Sequence, residues 1–378
     1  MEKTTTTTTT KLIGTTLSLL CSLFMSSDPP LLSELPFELV AEILCRLPVM
    51  FLLQLRCLSK FFNTLISDPK FAKKHLRLST TRHLILSYAD IHDHSRLISY
   101  PLHSTFHQCD SIFNSVTVKP TQIRYPFNKQ YNNIVGSCHG ILCLTRKQSM
   151  HDKRNNVLLW NLSIRKFKIL PSFKSPPNSR PTLYGFGYDH VTNVYKVLAV
   201  FSCDFGNMVF KAQGMVHTLG TNSWRMINGE LPLPDNRYES LKFVSGALHW
   251  IAYRDNNHSV VSFNLGIESY GKFLPPNYGG EDVHNVILGA RGIEYGNEES
   301  WTKLFRIPYI KGPFHNPYTK PLWISEDDQV LIDYTSFERI NLAVYDFKNG
   351  TFKKLLMQDI KCWITSEVCV ESLISPCF

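Results

Sequence analysis

Residues 35 to 76 form a compact, strongly apolar stretch that reads LPFELVAEILCRLPVMFLLQLRCLSKFFNTLISDPKFAKKHL. Pro36 suits the first turn of a helix, because its missing N–H would have no partner there anyway. Pro48 and the pair Asp68-Pro69 end helical segments. Apolar residues at three- and four-residue spacing predict one face of the first helix, and they are Leu39, Ile43, Leu44 and Leu47. Two further amphipathic helices are predicted around Phe51, Leu52 and Leu55, and around Phe61, Phe62, Leu65 and Ile66, with Phe71 and Leu76 closing the unit.

This predicted helical unit carries more apolar side chains than it can bury by itself. A unit of about forty residues is below the size at which a single hydrophobic core usually suffices. We therefore expect another protein to cover the surplus.

The order of residues in this stretch resembles an F-box. The matching positions are Leu35-Pro36, Ile43-Leu44, Arg46-Leu47-Pro48, Arg56-Cys57, Lys60 and Leu65-Ile66-Ser67-Asp68-Pro69. The resemblance implies binding to a Skp-type adaptor and, through it, to a cullin and a RING subunit. Two positions depart from the pattern, since Met50-Phe51 stands where a Lys-Ser pair is common and Phe62 where a Trp is usual. The alternative is a helical hairpin that only caps the following domain.

The residues expected to contact the adaptor come from the first two helices and their flanks. They are Leu35, Pro36, Leu39, Ile43, Leu44, Leu47, Pro48, Leu52 and Leu55. Spacing alone does not decide which of them point toward an adaptor and which point inward.

The composition is that of an ordinary globular chain, with 43% hydrophobic and 19% charged residues among 378. This length has room for two or three domains. Ten cysteines occur without a CxxC pair, so neither a zinc site nor a disulfide framework is indicated. A reducing compartment fits this usage, and we expect a cytoplasmic or nuclear protein.

The N-terminus combines seven threonines, Thr4 to Thr10, with an apolar run from Leu12 to Met25. This pattern is similar to a signal peptide, but the run is shorter than the ~20 residues that span a bilayer and no small-residue cleavage site follows. We predict a disordered leader over residues 1–30, with Met25 as an alternative start, and no membrane partner. A secreted or membrane-associated binding protein is the alternative, which glycans on Asn161, Asn257 or Asn349 would favour.

The formal net charge of +9 raises the question of nucleic-acid binding. No RRM, KH, zinc-finger or homeodomain pattern is present, so we predict no nucleic-acid partner. A steep salt dependence of the affinity for nucleic acid would instead favour a nucleic-acid binder.

From about residue 84 onward, short β-type runs replace helical spacing, and one pattern repeats five times. An aromatic residue or His precedes Asn, Asp or Thr, and a second aromatic follows six residues after that polar position. The units are Trp160-Asn161…Phe167, Tyr188-Asp189…Tyr195, His217-Thr218…Trp224, Phe263-Asn264…Tyr270 and Tyr345-Asp346…Phe352. Each predicts a hairpin whose polar side chain starts the turn and whose two rings face each other across the strands.

The first members of these units lie 28, 29, 46 and 82 residues apart, and Tyr295 with Trp301 suggests a decayed sixth unit in the last gap. This spacing favours a β-propeller over an α/β fold, with a plain β-sandwich as the alternative.

A second resemblance extends from about residue 100 to the C-terminus. The motifs that carry it are Gly136-Ser137-Cys138-His139-Gly140-Ile141-Leu142-Cys143-Leu144, Leu159-Trp160-Asn161, Tyr184-Gly185-Phe186-Gly187-Tyr188-Asp189, Tyr195-Lys196-Val197, Gly246-Ala247-Leu248-His249-Trp250 and Ser300-Trp301-Thr302-Lys303-Leu304. They resemble the F-box-associated, kelch-like domain of plant F-box proteins. The stretch 276–295 is shorter than the family pattern, so one blade is expected to be incomplete.

Three local motifs could carry chemistry. Gly136-Ser137-Cys138-His139-Gly140 can be written as a nucleophile elbow, but an elbow requires a following helix and the next residues are β-type. His92-Asp93-His94 lacks a third metal ligand, and His249-Trp250 reads as core. We predict no catalytic, metal or cofactor site.

Together these features predict an α+β multidomain chain, a small helical bundle followed by an all-β, kelch-like propeller. The expected divisions are a leader over 1–30, an F-box over 31–78, a linker with first strands over 79–99, and the propeller domain over 100–378. The expected role is a non-catalytic substrate receptor of a Skp–cullin–F-box ubiquitin ligase that binds an unknown target protein. The alternatives are a glycan-binding or catalytic propeller, or another binding protein without a ligase role.

Overall fold

The computed structural model describes most of the chain after Leu35. The described residues are 36–89, 95–103, 121–125, 131, 133–146, 154–176, 179–180, 182–204, 210–234, 240–254, 257–273, 286–290, 301–306, 319–325, 327–336, 339–355 and 363–377. The chain divides into two compact units, Met1–Leu78 and Ser79–Phe378. The predicted leader lies outside the described residues.

In its described part, from Pro36 onward, the first unit contains four short helices, α1 (Phe37–Leu44), α2 (Val49–Leu58), α3 (Lys60–Ser67) and α4 (Pro69–Leu78). Pro36 and Pro48 stand directly before α1 and α2, where a missing N–H costs nothing. The Ser59 hydroxyl accepts a hydrogen bond from the Phe62 N–H and caps α3. The helical unit expected from the sequence is therefore present, and the predicted prolines stand at its helix boundaries.

The core of the helical unit draws on all four helices. Its fully buried apolar members include Val40, Leu44, Leu52, Leu55, Phe62, Leu65, Ile66 and Phe71. His75 of α4 is also buried, and its Nε2 lies 2.9 Å from the Leu47 carbonyl oxygen in the α1–α2 connection. This hydrogen bond joins the last helix to the chain that follows the first.

Within the described residues, the second unit contains 24 strands. In chain order they are β1 (Arg82–Ala89), β2 (Ser95–Pro101), β3 (Thr121–Ile123), β4 (Asn133–Cys138), β5 (Ile141–Thr145), β6 (Arg154–Asn155), β7 (Val157–Asn161), β8 (Lys166–Ile169), β9 (Phe173–Lys174), β10 (Leu183–Asp189), β11 (Val194–Asp204), β12 (Phe210–Thr218), β13 (Arg225–Met226), β14 (Lys242–Val244), β15 (Ala247–Arg254), β16 (Asn257–Asn264), β17 (Ser269–Phe273), β18 (Val286–Ala290), β19 (Trp301–Arg306), β20 (Thr319–Ile324), β21 (Gln329–Ser336), β22 (Arg339–Asp346), β23 (Thr351–Leu355) and β24 (Trp363–Val370).

These strands form five four-stranded antiparallel blades. Blade 1 is β24-β1-β2-β3, blade 2 is β4-β5-β7-β8, blade 3 is β10-β11-β12-β13, blade 4 is β14-β15-β16-β17 and blade 5 is β20-β21-β22-β23. Within the described residues, β6 with β9 and β18 with β19 form two-stranded sheets. The unit is a β-propeller, as the repeat spacing predicts.

The two ends of this unit meet in blade 1. The C-terminal strand β24 pairs with β1, with Leu84 opposite Val368. One apolar cluster joins blade 1 to blade 5 through residues such as Leu86 and Leu342, and another joins blade 1 to blade 2 through Ile85 and Leu158. Pairing of the chain ends therefore closes the ring.

The repeated hairpins are confirmed at the level of register. Trp160 lies opposite Phe167, Tyr188 opposite Tyr195, Phe263 opposite Tyr270 and Tyr345 opposite Phe352. In the remaining unit the His217 and Trp224 rings lie 5.3 Å apart. The Asx side chains start the turns as predicted, since Oδ1 of Asn161, Asp189, Asn264 and Asp346 accepts backbone N–H bonds from the turn that follows.

The hairpins do not all occupy the same place in a blade. Four of them join the third and fourth strands, whereas the Tyr188…Tyr195 hairpin joins the first two strands of blade 3. Blade 3 therefore contains two of the five units, which explains the short spacing of 29 residues between them. The wide gap before Tyr345 holds the β18–β19 pair, and Trp301 begins β19 while Tyr295 lies outside the described residues.

Asn161 links the turn of blade 2 to the C-terminal segment. Its fully buried side chain donates to the carbonyl oxygens of Ser372 at 3.0 Å and Ile374 at 2.8 Å, and accepts from the Ser163 N–H. A glycan on this nitrogen is incompatible with the folded structure. Of the other two sequons, Asn349 is exposed in a turn.

Replacing Asn161 by alanine should lower the free energy of unfolding by about 2–4 kcal/mol, since several buried polar groups lose their partner at once. Urea unfolding of the purified chain measures the loss. Asn349→Ala is the matched control, since it removes an exposed amide from the corresponding turn of blade 5, and we expect a change below ~1 kcal/mol. Equal losses in the two variants would show that Asn161 does not anchor the C-terminal segment.

Candidate functional site

Helix α1 carries apolar side chains on two sides. Val40 and Leu44 are four residues apart and face the core of the helical unit. Leu39 and Ile43 are also four residues apart, and they remain 51% and 48% exposed. Residues four apart on a helix share a face, so the exposed pair forms a second apolar side that the unit itself does not cover.

The exposed side continues into α2. Met50, in its first turn, is 61% exposed, and Leu47, Pro48 and Phe51 are half-buried. Solvent-exposed Leu, Ile and Met this close together in the chain are typical of a surface that another protein covers. We call Leu39, Ile43, Leu47 and Met50 the α1–α2 apolar surface.

The structure separates the residues that the sequence grouped as adaptor contacts. Leu39, Ile43 and Pro36 are exposed, Leu47 and Pro48 are half-buried, Leu44, Leu52 and Leu55 are buried in the core, and Leu35 lies outside the described residues. The sequence predicted that Leu44 shares a face with Leu39, and this prediction was wrong. Leu44 follows Ile43 by about 100° around the helix, so its side chain turns inward with that of Val40. Met50 was not among the predicted contacts, although its place two residues after Pro48 in the motif was visible in the sequence.

Charged residues fix α1 against α4 beside this surface. Glu42 pairs with Lys74 and, at 3.1 Å, with Arg46. The hydrogen bond from Lys74 is the main reason that the pKa of Glu42 lies below its usual value, and Arg46 adds to it. All three side chains are well exposed, so they orient the helices more than they stabilise the fold.

The Cys138-His139-Gly140 motif is a tight hairpin turn between β4 and β5. His139 and Gly140 have φ values of 52° and 79°, and strand β5 follows directly, so the strand, turn and helix of a nucleophile elbow do not occur. Burial raises the pKa of the Cys138 thiol, which disfavours the thiolate. The His139 ring nitrogen Nδ1 lies 3.0 Å from the Tyr195 hydroxyl, which ties blade 2 to blade 3.

His249 and Trp250 belong to the core of blade 4, as expected. The Trp250 indole donates to the Pro232 carbonyl oxygen at 3.2 Å, and burial lowers the pKa of His249 to about 4. The His92-Asp93-His94 motif lies outside the described residues. Within the part of the chain that the structure describes, no three His, Cys, Asp or Glu side chains are grouped to hold a metal ion.

A buried lysine joins blades 3 and 4. Lys196 is 5% exposed, and its Nζ donates to the Leu265 carbonyl oxygen at 2.6 Å and to Glu268 at 3.1 Å. The Asp189 carboxylate lies 3.1 Å from the same nitrogen. Arg225, which is exposed, pairs with the other oxygen of Glu268. This network explains Lys196 as a structural residue rather than a binding residue.

The network predicts a loss of stability in acid. Burial alone would raise the pKa of Asp189, but hydrogen bonds from Thr192, Lys196 and the turn N–H groups outweigh it and bring the pKa to about 2. A carboxylate with a lowered folded pKa stabilises the fold above the unfolded pKa near ~3.9 and loses that contribution as pH falls toward the folded pKa, on the order of 2–3 kcal/mol in all. Urea midpoints from pH 6 to pH 3 should fall more steeply in the natural chain than in Asp189→Asn. Parallel curves would contradict the assignment.

In the described part of the chain, no helix combines the length and apolar character needed to cross a membrane. The seven cysteines that the structure describes are free thiols.

Comparison with known proteins identifies relatives of both units. The family described as F-box domain matches residues 32–74, and the family described as F-box associated beta propeller domain matches residues 85–288. The F-box/kelch-repeat protein At3g23880 of Arabidopsis thaliana is 26% identical and the alignment covers 91% of this chain and 96% of the relative. F-box protein At3g07870 is 24% identical over 89% and 91% of the two chains, and F-box protein CPR1 is 25% identical over 92% and 90%, both from Arabidopsis thaliana.

Proposed function

Because the chain belongs to the plant F-box proteins with a C-terminal F-box-associated β-propeller domain, we propose that it is the substrate-recognition subunit of a Skp–cullin–F-box ubiquitin ligase. F-box domains generally bind Skp-type adaptors. In this role the helical unit binds the adaptor, the adaptor connects it to a cullin and a RING subunit, and the propeller binds the target protein.

The observation that supports this function best is the exposed half of α1. Leu39 and Ile43 are about half exposed although the unit has an apolar core of its own to fill. Each aliphatic side chain that becomes fully buried contributes up to about 1.5–3 kcal/mol. Covering the α1–α2 apolar surface with an adaptor would therefore supply a useful part of the binding free energy. Leu44, Leu52 and Leu55 support the same contact from inside, because they hold α1 and α2 in place.

The proposed receptor has no catalytic step of its own. It would act by holding a target protein near the ubiquitin-charged enzyme, so that a bimolecular transfer occurs between molecules already in contact. The free, buried cysteines of the propeller suit a reducing compartment, in keeping with a cytoplasmic or nuclear protein.

Affinity capture from plant cells with the proteasome inhibited tests this function. The tagged full chain should retain a Skp-type adaptor, a cullin and ubiquitin-carrying proteins, whereas a chain reduced to the second unit, Ser79–Phe378, should retain neither adaptor nor cullin. Equal recovery of adaptor with both chains would contradict the proposed role of the helical unit.

A further inference from the structure

A groove opens between blades 1 and 2 of the propeller. Its volume is about 620 Å³, which is within the usual range for ligand sites. One wall is blade 1, which contributes residues from all four of its strands, such as His83, Ser99, Gln122 and Val370. The opposite wall is the β7–β8 turn of blade 2 with Trp160 behind it.

The shape of the groove suits an extended chain. Its lining includes residues of four strands, which at ~4.8 Å between neighbours span about 14 Å, and about four extended residues at ~3.3 Å each would cover that distance. Its base is the apolar cluster shared by the two blades, in which Ile85, Cys369 and Trp160 are buried and Ile123, Tyr125 and Leu162 are only partly buried. Apolar side chains at this end of the cluster thus remain partly exposed to the groove.

The polar groups on the floor of the groove already have partners. Nε2 of His83 lies 3.0 Å from the Glu371 carboxylate, and Nδ1 of His83 lies 3.0 Å from the Ser99 hydroxyl. Glu371 is the acidic residue among those that line the groove, and its carboxylate contacts His83 while keeping its charge. The groove lining therefore sets one carboxylate against two arginines.

The walls of the groove offer positive charge. Arg124 lies just after β3 and Arg165 ends the β7–β8 turn, and both line the groove with exposed side chains. Within the described residues neither arginine takes part in an ion pair. A guanidinium carries five donors arranged to match a carboxylate or a phosphate, so the two arginines call for acidic groups on the occupant.

We propose that the groove between blades 1 and 2 binds an extended acidic segment of the target protein, with its acidic side chains on Arg124 and Arg165. This inference rests on the proposed function, since it names the kind of segment that the receptor would select. Apolar side chains of the segment would pack on Ile123 and Leu162.

A library of ten-residue peptides displayed on phage and selected on the full chain tests the groove. Selected peptides should be enriched in sequences with two or more Asp or Glu residues, and Arg124→Gln with Arg165→Gln should weaken a selected peptide at least about tenfold. Lys174→Gln with Lys354→Gln removes the same charge from exposed sites outside the groove, and it should leave the affinity unchanged. Equal weakening by both double variants would overturn the proposal, because only the net charge would then matter.

Selection of peptides without acidic residues, or binding of a ten-nucleotide single-stranded RNA through the same arginines, would overturn the assignment.

The readouts for the groove and for the ligase role are separate. Adaptor capture by the Arg124→Gln, Arg165→Gln chain should equal that of the natural chain. If the natural chain captures no adaptor yet selects acidic peptides at the groove, the ligase role is contradicted and the proposed peptide site is supported. If the natural chain captures adaptor and the arginine variant binds every selected peptide with unchanged affinity, the proposed peptide site is wrong and the ligase role is supported.

Discussion

Replacing Leu39 and Ile43 together by aspartate should weaken binding of a purified Skp-type adaptor by a factor of about 100 or more. Both side chains are about half exposed in the free chain, so the complex would bury their remaining apolar area and would then have to desolvate two charges instead. A loss near 3 kcal/mol corresponds to that factor, since each tenfold change in affinity is about 1.4 kcal/mol. Isothermal titration of the full chain measures it.

The fold should survive this change, because Val40 and Leu44 on the inward side of α1 are untouched. The matched control is Val191→Asp with Ile267→Asp, which adds the same two charges at exposed aliphatic residues of the propeller, 77% and 74% exposed. We expect adaptor affinity within about twofold of the natural chain. If the control reduces binding as much as the α1 variant, charge rather than the α1–α2 apolar surface governs the interaction.

Lys196→Met should lower the free energy of unfolding by about 3–5 kcal/mol, the usual cost of removing one partner from a buried ion pair. The methionine fills much of the same space, but Asp189 at 1% exposed and Glu268 at 19% exposed lose their shared cation, and the Leu265 carbonyl oxygen loses its donor. Because Asp189 belongs to blade 3 and Glu268 to the turn of blade 4, the contact between blades weakens with it. Urea unfolding followed by tryptophan fluorescence measures the change.

Arg225→Met is the control for this prediction. It removes an arginine from the same Glu268, but its side chain is 59% exposed, so solvent screens the pair and we expect at most about 1 kcal/mol. Similar losses in the two variants would mean that burial of Lys196 does not set the strength of the network.

Local signals in the sequence accounted for much of the architecture. Prolines marked boundaries of the helices, and the pattern of aromatic and polar residues marked five hairpins, four of which pair the two aromatic residues across the strands, because turn chemistry and strand alternation act over a few residues. The position of each hairpin within its blade was harder to predict. The Tyr188…Tyr195 hairpin has the same local pattern as the others but occupies the first two strands of blade 3, and strand order depends on contacts between residues far apart in the chain.

In the candidate sites, too, local features were predictable from the sequence and features set by packing were not. Spacing identified the apolar residues of α1 but grouped Leu44 with Leu39 and Ile43, since a 3.6-residue period does not reveal which of two adjacent apolar sides meets the core. Met50 and the hydrogen bond between His75 and the Leu47 carbonyl depend on how four helices pack. The groove brings together residues 83, 124, 165 and 371, which are far apart in the chain. Such a set cannot be recognised from the sequence, because it forms only when the two ends of the second unit pair in blade 1.

Amide hydrogen exchange of the full chain, with and without a purified Skp-type adaptor, tests the central claim most directly. The account predicts that the adaptor slows exchange in α1 and α2, over Phe37–Leu44 and Val49–Leu58, while exchange in blades 1 to 5 stays unchanged. Protection confined to the propeller, or no protection at adaptor concentrations that saturate other F-box domains, would contradict it.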